Sequence, residues 1–207
     1  MPSEPIIHAV DDDPRFLSAL VRTLRTTRLT VNGYACPSHF LEALDPNLPG
    51  CLITDLRMPD IDGLELQRRL AHRHIRLPVI FITGHGDASK AVAALKGGAV
   101  DFLEKPFSAQ VLLRSVAHAL DKDANDRRLS GEQAILQSRF AHLSPREHEV
   151  FTLVVSDLPS KEIARRLKIS PRTVEHHREH LMLKMQARSL TELVTMAVLC
   201  GVRELHL

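Results

Sequence analysis

The chain has 207 residues, enough for one large domain or two ordinary ones, and its 44% hydrophobic and 25% charged content is that of a soluble globular protein. No run of about 18 apolar residues occurs, so no membrane span is expected, and the opening MPSEPIIHAVDDD lacks the basic region and long apolar core of an export signal. The net charge of +2 is small for a nucleic-acid binder but uneven: residues 141–207 hold ten basic against eight acidic side chains, whereas residues 1–120 hold thirteen of each.

The first 120 residues alternate short apolar runs with amphipathic segments. Strands are expected at Ile6–Val10, Thr30–Tyr34, Cys51–Thr54, Pro78–Thr83 and Val100–Leu103. Helices are expected at Pro14–Thr26, Ser38–Leu44, Gly63–Arg73, Ala88–Gly97 and Ala109–Leu120. Five strand–helix alternations argue for an α/β domain, a doubly wound five-stranded parallel sheet covered on both faces. Ligand chemistry in such sheets lies beyond the carboxyl ends of the strands, where strand order reverses.

Residues 121–141, DKDANDRRLSGEQAILQSRFA, are polar and charged and read as a partly helical linker. Residues 142–207 form a small all-α domain of four short helices. Ser144-Pro145-Arg146-Glu147 has the capping-box pattern with proline at the first helical position. Ser160 precedes Lys161–Lys168, Ser170-Pro171 opens a helix to about Met185, and Ser189–Glu192 reads as a second capping box. Cys36, Cys51 and Cys200 are an odd number without metal-ligand spacing, which suits reduced thiols in a cytoplasmic protein.

The stretch CLITDLRMPD carries a mostly apolar strand up to Asp55 and then turns at Met58-Pro59-Asp60. Taken alone, it fits either a chance strand end or a carboxylate held at the sheet edge for chemistry. The first strand also ends in acids, Asp11-Asp12-Asp13. Three carboxylates from one edge would repel one another unless a divalent cation joined them, and Mg²⁺ suits a site of few carboxylates and several waters. The fourth and fifth strands lead to Thr83 and Lys105. An aspartate, a metal, an ammonium and a hydroxyl are a set suited to a phosphoryl group, with Asp55 attacking phosphorus. Thr83 could equally cap a strand and Lys105 sit in a solvated turn. Their joint occurrence at four strand ends favours the chemical reading.

These residues carry a resemblance. VDDD, TDLRMPDIDG, ITGHGD and GAVDFLEKPF resemble a response-regulator receiver domain in order and spacing. The resemblance implies that Asp55 is the phosphoacceptor, and that Asp11, Asp12 and Asp55 bind Mg²⁺ with the backbone carbonyl of Arg57. It assigns Thr83 and Lys105 to phosphoryl sensing, suggests a cis Lys105–Pro106 peptide, and puts Phe102 at an aromatic switch position where tyrosine is frequent. Phenylalanine lacks the hydroxyl, so any swing there works through packing.

Residues Leu143 to about Ala197 are similar to the LuxR-type helix-turn-helix of the NarL/FixJ subfamily. The segments Ser160–Lys168 and Pro171–Met185, joined at Ile169-Ser170, fit that motif. At about 100° per residue, Val174, Leu181 and Met185 share an inward face. Glu175, His176, Glu179 and His180 lie on the other half, which would enter the major groove. Lys161, Arg172 and Arg178 suit phosphate contacts, and Thr173 joins them in the first turn as a DNA contact. Asp157 stands where the family usually has glycine, and aspartate tolerates a left-handed turn. His176 and His180 have a spacing that can hold a metal, but no third ligand is evident nearby and the balance is against one. His177, on the flank, reads as packed within the domain.

Together these features imply a phosphorylation-dependent transcription regulator, not an enzyme. Its expected partners are a sensor histidine kinase, a double-stranded DNA promoter and RNA polymerase, with no membrane, and it is expected to be a homodimer when phosphorylated. A phosphotransferase or phosphatase working through Asp55 is the rival from another class. Dehalogenase-type phosphatases usually place a second acid two residues after the nucleophile, where this chain has Arg57, and that reading gives the helix-turn-helix no role.

Overall fold

The computed structural model describes residues 4–84 and 97–202. The helix expected at Ala88–Gly97 lies almost wholly outside them. The chain divides into two compact units, Met1–Arg127 and Arg128–Leu207.

The first unit is a parallel sheet of β1 (Ile6–Val10), β2 (Thr30–Tyr34), β3 (Gly50–Asp55), β4 (Val79–Thr83) and β5 (Asp101–Glu104), in the order β2-β1-β3-β4-β5. Its described helices are α1 (Pro14–Leu24, followed by a 3₁₀ turn at Arg25–Thr27), α2 (Pro37–Ala43), α3 (Gly63–His72) and the first part of α4 (Ala109–Ala141). Side chains alternate across a strand, so each strand feeds two cores. Ile7, Ala9, Cys51, Ile53, Ile80 and Ile82 meet Leu20 and Leu24 of α1 and Leu112 and Val116 of α4. Val10, Leu52, Val79 and Phe81 meet Phe40 of α2 and Leu66 and Leu70 of α3. Strands buried on both faces need near-continuous apolar runs, which is what the sequence supplies.

Strand ends differ from expectation by a residue. β3 begins at Gly50, where an added Cβ would lie 2.0 Å from the Ile6 carbonyl oxygen, so only glycine admits β1 this close. β3 also takes in Asp55, whose Cα pairs in register with Ile82.

The segment 121–141, expected to be partly helical, is helix throughout, because α4 runs unbroken for 33 residues. Its early part is tied to the first unit. Asp123, only 2% exposed, accepts the Gly50 N–H at 2.9 Å and the Arg127 Nε–H at 2.9–3.0 Å. Arg127 also donates to the carbonyls of Pro46, Asn47 and Leu48.

The second unit packs α5 (Pro145–Val155), α6 (Ser160–Leu167), α7 (Pro171–Met185) and α8 (Leu190–Leu199) around Val150, Phe151, Ile163, Val174, Leu181, Met185 and Leu193, with Leu136 and Phe140 of α4 against them. The Ser144 capping box is complete, and Lys184 Nζ lies 2.6 Å from the buried Glu147 carboxylate. Two caps depart from expectation. Ser160 is the first residue of α6 rather than its cap, which is Pro159, and the serine hydroxyl accepts from Arg178 at 3.4 Å. Ser189 caps α8, but Glu192 turns back to the N–H of Arg188 rather than Ser189, so the second capping box is only half formed. Asp157 has φ +61° and ends α5 in the left-handed turn expected of it.

Candidate functional site

The first site is built where strand order reverses, between β1 and β3. Asp55 ends β3 and Asp11 follows β1, and the in-register pair Val10–Thr54 puts them side by side. Asp11 is buried, accepts the Asp13 N–H at 2.9 Å, and has its pKa raised by burial. Asp55 keeps 13% of its side chain exposed and accepts the Arg57 N–H at 2.8 Å. The helix α3 closes over this edge because Gly63 has no side chain: a Cβ there would lie 2.5 Å from the Asp55 carbonyl oxygen.

Lys105 reaches this pocket from beyond β5, through a cis Lys105–Pro106 peptide. Its ammonium donates to Asp55 at 2.6 Å and to Asp11 at 3.3 Å and lies 3.7 Å from the Phe16 ring centroid. Burial alone would lower its pKa, but the hydrogen bonds and charges of Asp55 and Asp11 outweigh that and hold it above the ordinary lysine value. Lys105 is therefore a cation fixed on both acids. Thr83, at the end of β4, is buried, and its hydroxyl donates to the Gly84 carbonyl at 3.1 Å. Phe102 on β5 is half-buried, opposite Phe81 in register.

The structure brings Asp11, Asp55 and Lys105 to one point but does not bring Asp12 with them. The Asp12 side chain is exposed, and among the described residues no three His, Cys, Asp or Glu side chains form a metal-holding group. The donor chemistry of Asp11 and Asp55, hard carboxylate oxygens beside a backbone turn, still fits Mg²⁺.

In the second unit, α7 buries Val174, Leu181 and Met185 and exposes Arg172, Glu175, His176, Glu179 and His180. Ser170 caps the helix at the Thr173 N–H, 3.0 Å away, and its hydroxyl meets that of Thr173 at 2.8 Å. Arg178 and His177 are half-buried on the flank, and Lys161 stands exposed on α6. Lys168 and Gln186 end α6 and α7 in left-handed conformations. One helix is thus pinned against its neighbours by an apolar edge with a polar edge left open, the geometry of a groove-reading helix.

Residues 7–117 match the response regulator receiver domain family, and residues 141–197 match bacterial regulatory proteins of the luxR family. The chain is 43% identical over 202 residues to the transcriptional regulatory protein FixJ of Azorhizobium caulinodans, covering 98% of this chain and 96% of that one. It is 40% identical to nodulation protein W of Bradyrhizobium diazoefficiens, covering 99% and 90% of the two chains. Among solved structures it is similar to the response regulator StyR, with a TM-score of 0.84 at 38% identity over 95% and 99% of the two chains. The chain is a response regulator of the NarL/FixJ subfamily.

As such it is a phosphorylation-dependent transcription regulator of a two-component system, with a receiver and a LuxR-type DNA-binding domain. Receiver domains generally bind Mg²⁺ for phosphorylation. No helix among the described residues is long and apolar enough to cross a membrane.

Sequence reasoning missed two parts of this regulator's pocket. Asp13, grouped there with the metal-binding acids, caps α1 by accepting the N–H groups of Arg15 and Phe16. The Asp13-Pro14 pair is a legible cap signal. Phe16, the aromatic wall behind Lys105, stacks edge-on against Phe107 at 6.2 Å. No local signal marks it, because its partners lie about 90 residues away in the chain.

Proposed function

We propose that Asp55 is the phosphoacceptor and that a sensor histidine kinase is the donor. The observation that carries this is the Lys105 ammonium held on Asp55 and Asp11 at the switch point of the sheet. An Asp55 carboxylate oxygen attacks phosphorus to form an acyl phosphate while the donor departs. Asp11 and Asp55, with the Arg57 carbonyl, would hold Mg²⁺, with the exposed Asp12 carboxylate turning inward to join them, and the ion when bound offsets charge on the phosphoryl oxygens. Lys105 supplies a second cation, and the Thr83 hydroxyl turns from the Gly84 carbonyl to a phosphoryl oxygen. The half-buried Phe102 ring, on the strand next to Thr83, moves by repacking.

The receiver function belongs to residues 1–120, with 121–141 as linker and 142–207 as the DNA-binding domain. The phosphorylated protein is a homodimer in the cytoplasm, bound to a double-stranded promoter and working with RNA polymerase. Glu175, His176 and Glu179 face base edges, while Lys161, Arg172, Thr173 and Arg178 meet the phosphate backbone.

The test is treatment of the full chain with acetyl phosphate and Mg²⁺. One phosphoryl group, labile to acid and base, is expected in the wild type and none in Asp55→Asn, and only the labelled protein should gain affinity for genomic duplex. Equal labelling of Asp55→Asn would refute the assignment.

A further inference from the structure

His176 and His180 stand one turn apart on α7, both exposed, with ring centroids 4.2 Å apart and planes tilted by 51°. We propose that this pair is a chelating site for a borderline divalent transition-metal cation, Cu²⁺, Ni²⁺ or Zn²⁺, and that filling it closes the face of α7 that reads base edges. The second half of this proposal rests on the reading above, in which α7 enters the groove.

The helix fixes the two backbone positions one turn apart before any metal arrives, so only side-chain rotations remain to be ordered on binding. Metal–imidazole bonds of about 2.0–2.1 Å require the two ligating nitrogens to approach to about 3 Å. Ring centroids 4.2 Å apart put the two imidazoles within range of one shared cation, and rotation of the exposed rings about their side-chain torsions can turn a nitrogen of each toward it. Imidazole nitrogen suits Cu²⁺, Ni²⁺ and Zn²⁺, in that order of divalent affinity Cu²⁺ is held most tightly, and it does not suit Mg²⁺.

The protein supplies two ligands, because among the described residues no three His, Cys, Asp or Glu side chains form a metal-holding group. His177 is not the third: its ring is 6.4 Å from that of His176 and half-buried. Glu175 leans instead toward Arg178, at 3.9 Å. Water completes the shell, and a hydrated cation then occupies the surface beside His176 and Glu179. Its positive charge is attracted to phosphates, so sequence discrimination falls while affinity for random duplex does not.

The test uses the full chain and Cu²⁺, followed by calorimetry and electron paramagnetic resonance. The wild type and His177→Gln should bind one equivalent more than His176→Gln or His180→Gln, with the nitrogen coupling of two imidazoles, at unchanged helicity by circular dichroism. Ni²⁺ should then reduce the wild type's discrimination between a selected duplex and its scrambled form, reversibly with a chelator, and leave that of His180→Gln alone. Equal Cu²⁺ binding by the wild type and His180→Gln overturns the site. Discrimination indifferent to metal overturns the closing of the face. If no duplex is retained at all, the groove-reading assignment fails, and with it the closing, while the Cu²⁺ titration still decides the site.

Discussion

His8 is a buried base in the sheet, 5% exposed, with its Nδ1 3.2 Å from the Tyr34 hydroxyl and its ring against Tyr34 and Phe40. Burial lowers its pKa from 6.5 to about 4. The folded value lies below the unfolded one, so the unfolded chain takes up the proton first. Stability is complete above pH 6.5 and is lost as the pH falls from there toward 4, by up to about 3 kcal/mol. Tyr34 is the only tyrosine and there is no tryptophan, so intrinsic fluorescence reports unfolding of the first unit alone. Urea midpoints followed this way should fall between pH 6.5 and 4.5 in the wild type and much less in His8→Phe. Parallel curves for the two proteins would mean that other groups carry the acid sensitivity.

Among elements, α4 shows how a polar sequence becomes ordered. Its exposed pairs Lys122–Asp126 and Arg128–Glu132, each i,i+4, are worth only a few tenths of a kcal/mol apiece. The Asp123–Arg127 pair differs because its carboxylate is buried and also holds the Gly50 N–H, at the start of the strand that ends in Asp55. Arg127→Ala leaves that carboxylate short of its cation and is expected to destabilise the first unit by about 2–3 kcal/mol. Asp123→Leu with Arg127→Met should cost less, since the buried charge goes with its partner. Hydrogen exchange at residues 121–127 and the Tyr34 unfolding curve measure both effects. A neutral Arg127→Ala would show that the carbonyl and N–H groups around Asp123 find water instead.

For the whole molecule, the expected consequence of phosphorylation is a change of association. Thr83 and Phe102 lie on the neighbouring strands β4 and β5, and the Lys105 N–H is bonded to the Thr83 carbonyl at 2.7 Å, so a pull on Thr83 is felt along β5. With no hydroxyl on Phe102, the response is one of packing. We expect a monomer before and a dimer after acetyl phosphate treatment by sedimentation equilibrium, through the face that includes β5 and residues 109–120. A wild-type dimer of unchanged affinity before and after treatment, or an equal gain in association by Asp55→Asn, would remove the switch.

The alternation of apolar runs determined the parallel sheet, and the acids after β1 and β3 determined where its chemistry would lie, because both depend on spacing along one strand. Caps such as Ser144 and Ser170 were legible for the same reason: their partners sit three residues away. Four features were decided only by tertiary contact. They are the continuity of α4 past residue 120, the Phe16 wall behind Lys105, the neutral burial of His8, and the failure of Asp12 to join Asp11 and Asp55. Each depends on groups brought together from distant parts of the chain or on the direction a side chain takes once packed. Neither is encoded in local periodicity, so the bond from the Gly50 N–H to Asp123, which ties the start of residues 121–141 to the first unit, is not legible in the sequence.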